Sequence, residues 1–215
     1  MDNKEKFWNR IAKNYDQQVN ADDQTAIKTI EHTKKYLRPS DIVMDYACAT
    51  GKFTFAIGDL VKEIHGIDIA SEMIAVAKRI AGERNREHIH FAQTTLFDEG
   101  YHAGSFDVIL AFNILHLLED PHQVVVRVNE LLKADGIFIS ATACLGKDRS
   151  LVRMILWPLS KLGIVPYINF FRPSEVDELI AHGNFEILET HALSPSPLNY
   201  FVAARKLSNQ SESLP

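Results

Sequence analysis

Basic charge is in short supply in this chain, and nowhere is it concentrated. Lys and Arg total 23 against 28 Asp and Glu, a net charge of −5. A sequence-independent nucleic-acid binder needs a basic face, so that class is disfavoured. Cysteine is scarcer still: Cys48 and Cys144 are the only two. That is too few for a disulfide framework and fits a reducing, cytoplasmic setting. Long apolar runs are missing as well. The most apolar stretch, MILWPLSKLGIVPYINFF, is broken by Pro158, Lys161, Gly163 and Pro166, whereas a spanning helix needs about 20 apolar residues. The opening MDNKEKFWNR has no apolar signal core,. The nine histidines show no H-x-x-x-H spacing, so no metal site is expected. Membrane insertion and nucleic-acid binding are therefore not expected.

What is present is ordinary for a globular protein, with 46% hydrophobic and 24% charged residues in 215. One domain is expected over 1–207, followed by a polar, disordered tail, SNQSESLP, at 208–215. KEKFWNRIAKNYDQQV places Phe7, Ile11 and Tyr15 four apart on one helical stripe, with Trp8 alongside,. DDQTAIKTIEHTKKYL predicts a second helix, capped by Asp22 or Asp23, with Ile27, Ile30 and Leu37 facing inward,. From DIVMDYA onward, short apolar runs alternate with helical patterns: KFTFAIGDLV, EIHGIDI, ASEMIAVAKRIAGER with Ser71 as N-cap, HIHFAQT, SFDVILAFN, PHQVVVRVNELLK opened by Pro121, and GIFISATA. Strands apolar throughout and joined by helices belong to a parallel sheet covered on both faces, an α/β, Rossmann-like doubly wound fold. Residues 145–172 interrupt this rhythm as an apolar insertion or lid. A helix, PSEVDELIAHG, then precedes FEILETHAL and NYFVAARK. A connection as short as SPSPL cannot join parallel neighbours, so the sheet should end in an antiparallel hairpin.

Glycine is the other shortage, and it falls at the most informative place. DYACATG, Asp45–Gly51, comes after the first strand with small residues at every second position, yet Ala47 and Ala49 stand where glycine is expected,. In such folds ligands bind beyond the carboxyl ends of the strands, beside helix N-termini. Asp68, 17 residues past Gly51 in GIDIAS, ends the second strand. It is spaced to accept hydrogen bonds from vicinal ribose hydroxyls.

These segments together resemble the class I S-adenosylmethionine-dependent methyltransferases. VMDYACATGKF is similar to their glycine-rich first motif, and GIDIASEMIAVAKR to their acidic-loop motif. GSFDVILAFNILHLLEDP is similar to their fourth-strand motif, and LLKADGIFIS to the helix end and strand after it. FWNRIAKNYD resembles the lead-in of the branch that includes quinone-biosynthesis methyltransferases. The resemblance implies a seven-stranded sheet whose last strand is antiparallel, and S-adenosyl-L-methionine as cofactor. It implies cofactor contacts from Asp45, Ala47, Ala49, Gly51, Asp68, Ile69, Met73, Thr95, Leu96 and Asn113. Thr95 stands where that family often has an acid for the adenine amine, and Leu96 would offer its backbone N–H.

Methyl transfer to a small apolar or aromatic acceptor needs mainly alignment, because the cofactor carries the reactive methyl. His116 and Tyr15 are the candidate catalytic groups, with His191 and Arg172 behind them; Cys48, lacking a paired base, is not. The insertion and the first helix would set the acceptor. Two rivals stand beside this expectation. One is a non-catalytic adenosyl binder, made plausible by the glycine-poor loop. The other is a NAD-type oxidoreductase, which wants G-x-G-x-x-G and leaves the terminal hairpin unexplained. Whether the chain forms a homo-oligomer is left open.

Overall fold

The computed structural model describes residues 3–18, 24–146, 167–195 and 198–208, with Leu159 and Val165. Most of the 145–172 insertion, the Asp22/Asp23 cap and the tail from residue 209 lie outside these described residues. Helices α1 (Asn3–Gln18) and α2 (Gln24–Lys34) precede β1 (Ile42–Tyr46), α3 (Lys52–Ile57), β2 (Glu63–Asp68), α4 (Ser71–Glu83) and β3 (Ile89–Gln93). Then come β4 (Phe106–Phe112), α5 (Pro121–Leu131), β5 (Leu132–Cys144), α6 (Pro173–His182), β6 (Phe185–Pro195) and β7 (Leu198–Lys206).

Seven strands form one sheet in the order β3-β2-β1-β4-β5-β7-β6. β1 to β5 are parallel neighbours, whereas β7 runs antiparallel between β5 and β6. The expected fold class and terminal hairpin are therefore present. The central strands are buried on both faces, β4 at every residue but Asp107. This double burial explains their continuous apolar run. Between β1 and β4 the strand order reverses direction, which opens a crevice at the carboxyl edge of the sheet,.

Several local expectations are corrected. Phe7 does not join the buried stripe of α1. That face is Trp8, Ile11, Ala12 and Tyr15, packed on Ala70, Met73 and Ala49, while Phe7 lies edge-on to Trp8. On α2, Ile27 is 38% exposed and the buried face is Ala26, Thr29 and Thr33. The two threonines tolerate burial because each hydroxyl donates to a carbonyl of its own helix, Thr25 O and Thr29 O, both at 2.7 Å,. Ser71 is not the cap of α4 but its first helical residue. Asn9 of α1 serves instead: its Oδ1 accepts from Glu72 N–H at 3.0 Å, and its Nδ2 donates to Ser71 Oγ at 3.1 Å. Helix α1 is thus pinned over the start of α4. Pro121 does open α5, with Asp120 as the capping side chain.

The β1–α3 turn carries backbone strain. Ala47, Ala49 and Gly51 all have positive φ, at 60°, 50° and 86°. For alanine this left-handed region costs about 1–2 kcal/mol. Gly51 is needed for a second reason: a Cβ there would lie 2.8 Å from Phe91 Cζ and 2.9 Å from Phe55 Cε2. Opposite responses are therefore expected in urea unfolding. Ala47→Gly and Ala49→Gly should each stabilise the chain by roughly 1 kcal/mol, and Gly51→Ala should destabilise it by roughly 3 kcal/mol.

Candidate active site

Two hollows meet at the β1–α3 turn, at the carboxyl edge of the sheet. The larger, about 290 Å³, is lined by Ala47, Ala49, Asp68, Ile69, Met73, Thr95 and Asn113 from the sheet edge and its loops. It is roofed by Trp8 and Tyr15 of α1, by Ile114, Leu117 and Leu118 after β4, and by Tyr46 and Tyr167. The smaller, about 170 Å³, lies against Asp45, Cys48, Thr50, Lys52 and Phe53, and shares Tyr15, Ala47, Ala49, Phe112 and Asn113 with the first. The larger volume is near the lower end for small-molecule sites, and its apolar lining with a few convergent polar groups is their usual chemistry. A third hollow, about 640 Å³, opens at the opposite edge beside Arg38, Asp41, Asp107 and Lys133. Its two carboxylates already have partners: Lys133 Nζ lies 2.7 Å from Asp107 Oδ2, and Asp41 Oδ2 accepts from the backbone N–H of Arg38. It also lies away from the helix N-termini, so we place the site at the carboxyl edge.

Asp68 organises that edge. Its Oδ2 accepts from Ala49 N–H at 3.0 Å and its Oδ1 from Ala70 N–H at 2.8 Å. One carboxylate therefore holds the glycine-poor loop against the start of α4. Burial pushes its pKa up, and the backbone hydrogen bonds from Ala70, Ala49 and Ile69 pull it back,. A carboxylate has about four lone-pair sites, so acceptor capacity remains toward the cavity that it lines. Asp45 is buried deeper, at 2% exposure. Thr54 Oγ1 donates to its Oδ2 at 2.6 Å, which fastens β1 to α3. Burial raises its carboxyl to about 7, with the Asp68 charge adding to the effect and Thr54 opposing it.

Above the loop, α1 forms a wall. Met73 is 1% exposed and packs in the cluster with Ala12 and Ala70 while still edging the cavity. Lys4 and Glu119 pair at 3.1 Å across the rim, an exposed contact of small energy. Residues 167–172 are stitched to the turn after β4, where Asn169 N–H donates to His116 O and Asn169 Nδ2 to Leu118 O, both at 2.6 Å. That places Tyr167 in the wall. Asn113 has φ 55°, a conformation asparagine tolerates, and its Oδ1 accepts from Asn199 Nδ2 at 2.9 Å. Burial holds the Tyr46 hydroxyl at about 12, so it stays a proton donor.

A family model described as a methyltransferase domain matches residues 37–161. The chain belongs to the class I S-adenosylmethionine-dependent methyltransferases. Among relatives of this methyltransferase, the uncharacterised methyltransferase YcgJ of Bacillus subtilis strain 168 is 32% identical over 113 residues, 53% of this chain and 43% of that protein. The chain thus spans less than half the length of that relative. A ubiquinone biosynthesis O-methyltransferase of Glaesserella parasuis serovar 5 is 29% identical over 172 residues, covering 74% of this chain and 72% of the relative. In fold, the chain is similar to a geranyl diphosphate C-methyltransferase from Streptomyces coelicolor A3(2), crystallised with Mg2+, geranyl diphosphate and S-adenosyl-L-homocysteine. That match has a TM-score of 0.69 at 13% identity, over 84% of this chain and 78% of the other.

Of the residues expected to hold the cofactor in this methyltransferase, Ala47, Ala49, Asp68, Ile69, Met73, Thr95 and Asn113 come together around the larger cavity, and Asp45 borders the smaller. Gly51 and Leu96 line neither. Gly51 is turned onto Phe91 and Phe55, and Leu96 is fully buried in the core. Of the catalytic candidates, Tyr15 borders both cavities and His116 borders neither. Burial lowers the His116 imidazole to about 4, and its Nδ1 is buried without a hydrogen-bond partner. His191 is on β6 and Arg172 precedes α6, both outside the lining. Burial also pushes the Cys48 thiol well up, which keeps it protonated,.

Sequence reasoning missed Tyr46, Ile114, Leu117 and Leu118 as wall residues, and Asn199 as the partner of Asn113. Tyr46 directly precedes Ala47, and the other three flank His116, so proximity to the motifs was an available signal. Asn199 is 86 positions from Asn113, and nothing local marks it.

The raised carboxyl of Asp45 has a thermodynamic consequence. Its folded pKa lies above the unfolded value, so its contribution is fully present below about 4 and is lost as pH rises through about 7,. His116, lowered by burial, acts in the opposite sense between about 4 and 6.5. The difference between wild type and Asp45→Asn isolates the first effect. In urea unfolding from pH 4 to 8, wild type should lose roughly 2–4 kcal/mol relative to the variant.

Proposed function

We propose that this chain binds S-adenosyl-L-methionine in the carboxyl-edge crevice and transfers its methyl group to a small apolar or aromatic acceptor. The observation that carries the reading is the placement of Asp68. It is a partly buried carboxylate at the end of β2, bonded across the crevice to the β1–α3 loop and open to an aromatic-walled cavity. In this reading Asp68 accepts hydrogen bonds from the ribose hydroxyls, and Ile69 and Met73 pack beside the adenine. Thr95 lies at the adenine edge. Asn113 and the backbone of Ala47 and Ala49 face the amino-acid end.

The bound cofactor supplies an electrophilic methyl group on a sulfonium. What the chain contributes is alignment and a dry cavity. Trp8, Tyr15, Tyr46 and Tyr167 present ring faces and edges suited to a flat or lipid-like acceptor. They exclude water from the line of attack. A base is required only where the acceptor keeps its proton. Tyr15 brings a hydroxyl to the wall of both cavities and, in this reading, orients the acceptor hydroxyl or ring. His116 borders neither cavity, and burial lowers its imidazole to about 4, a weak base at neutral pH, so we assign it no proton transfer,. The relatives in ubiquinone biosynthesis and the geranyl diphosphate enzyme, by their names, act in or on apolar or isoprenoid chemistry, which accords with such an acceptor. The two cysteines, both free thiols, accord with a reducing, cytoplasmic site of action.

The strained alanines favour one alternative, a chain that binds the adenosyl cofactor without turnover. A NAD-type oxidoreductase is disfavoured by the antiparallel β7 inserted beside β5. Calorimetry separates these readings. S-Adenosyl-L-methionine and S-adenosyl-L-homocysteine should bind and NAD should not, and Asp68→Asn should weaken both adenosyl ligands roughly 10–100-fold through loss of charge-assisted hydrogen bonds. Heat from NAD alone would overturn the proposal. Tight adenosyl binding with no turnover on a panel of quinols, phenols and isoprenoids would favour the binder.

A further inference from the structure

Away from the crevice, three potential ligands converge where α2 crosses β6. His32, on α2, and Glu189 and His191, on β6, bring one donor atom each within 4.8 Å of one another. We propose that these three side chains bind a single divalent transition-metal ion of the zinc type, clasping α2 to the edge strand of the sheet.

The local fold aims them together. β6 is the outermost strand, and its pairing with β7 shifts register between Ile187 and Glu189. Such a bulge re-aims the side chains beyond it. Glu189 and His191, two residues apart, then share the face that α2 covers. His32 comes down from the helix, its ring 3.9 Å from that of His191 and 5.3 Å from Phe201. His32 Nδ1 lies 3.0 Å from Glu189 Oε1, and His191 Nε2 contacts the same oxygen. Three donors at about 2.0–2.2 Å from a tetrahedral zinc stand roughly 3.3 Å apart, so donors already within 4.8 Å of one another reach that spacing by side-chain adjustment.

The present partners suit a cation. Lys35 Nζ lies 2.7 Å from Glu189 Oε1 and 3.2 Å from His32 Nδ1. The two neighbours of that ring nitrogen make opposite demands: the carboxylate needs Nδ1 to donate, and the ammonium needs it to accept. No tautomer satisfies both. The Lys35 ammonium occupies the position of a positive charge between an imidazole and a carboxylate, and its own side chain is about half exposed, free to swing into solvent. A metal ion in its place takes lone pairs from both groups and from His191. The second shell is already built, since Tyr36 donates its hydroxyl to the remaining oxygen, Oε2, at 2.6 Å, the kind of bond that orients a metal-binding carboxylate. Two imidazoles and one carboxylate suit zinc rather than magnesium or calcium, which prefer oxygen alone. Three protein ligands leave a fourth position for water.

Chelator-treated full-length chain titrated with Zn2+ should bind one equivalent, and Co2+ should give the visible absorption of a tetrahedral complex. His191→Ala should weaken zinc more than about 100-fold, beyond the loss typical of an outer-sphere partner, and Tyr36→Phe about 10-fold. Lys35→Ala removes the competing ammonium and should tighten binding. His90→Ala, beside Glu63 on the opposite edge, should change nothing. No stoichiometric binding, binding indifferent to His191→Ala, or binding abolished by Lys35→Ala would overturn the site. Equal thermal melting of metal-free wild type and His191→Ala excludes misfolding as the cause of any loss.

Discussion

One partly buried carboxylate, Asp68, holds the carboxyl edge of the sheet in shape. It draws the backbone N–H of Ala49 and that of Ala70 to its two oxygens, so a loop from one βα unit and a helix from the next are set at a defined separation. The crevice between β1 and β4 arises from topology. Its shaped floor arises from this carboxylate. The neighbouring Asp45 works one layer below, on Thr54, and the Asp68 charge adds to the cost of ionising it. The edge therefore carries both backbone strain, at Ala47 and Ala49, and a buried carboxyl group. Both are features that a folded chain tolerates where the surrounding packing over-determines them.

The second requirement is a roof. Helix α1 supplies it by laying Trp8, Ile11, Ala12 and Tyr15 over Ala70, Met73 and Ala49. It is located by polar contacts rather than by its apolar stripe alone. Asn9 caps α4 and fixes where α1 sits along it, and the Tyr167 segment closes the far wall by bonding to the turn after β4. In the proposed reading, the acceptor side of the site is assembled from parts distant in sequence, while the cofactor side comes from consecutive βα turns.

That difference explains how legible the chain was. The continuous apolar runs of β1, β2 and β4, the short connection after β6 and the Asp68 spacing carried the fold class, the hairpin and most of the crevice lining. Errors arose where a neighbour outside the local window decided the outcome. Ile27 has the right period to face inward, yet α2 turns its threonines in because their hydroxyls bond its own carbonyls. Ser71 has the right chemistry for a cap, and Asn9 took the role from another helix. Gly51 and Leu96, expected at the ligand from their motifs, line neither cavity: Gly51 lies against Phe91 and the Leu96 side chain packs into the core. His116 follows closely on β4, yet the 3-10 turn at Leu115–Leu117 leaves it outside both cavity linings with its Nδ1 buried.

The cluster of His32, Glu189 and His191 marks the boundary most plainly. No spacing in the sequence announces it, since the two histidines lie on segments at opposite ends of the chain, and the sequence pattern led to the expectation of no metal site. By itself the sequence determined the parallel sheet, its antiparallel ending and the acid that faces the glycine-poor loop. Periodicity, connection length and residue chemistry are local properties, and they suffice for these. Only the tertiary structure decided which candidates face the cavity, which partner caps which helix, and which charges share a neighbour, because those depend on distances between segments that no local pattern encodes.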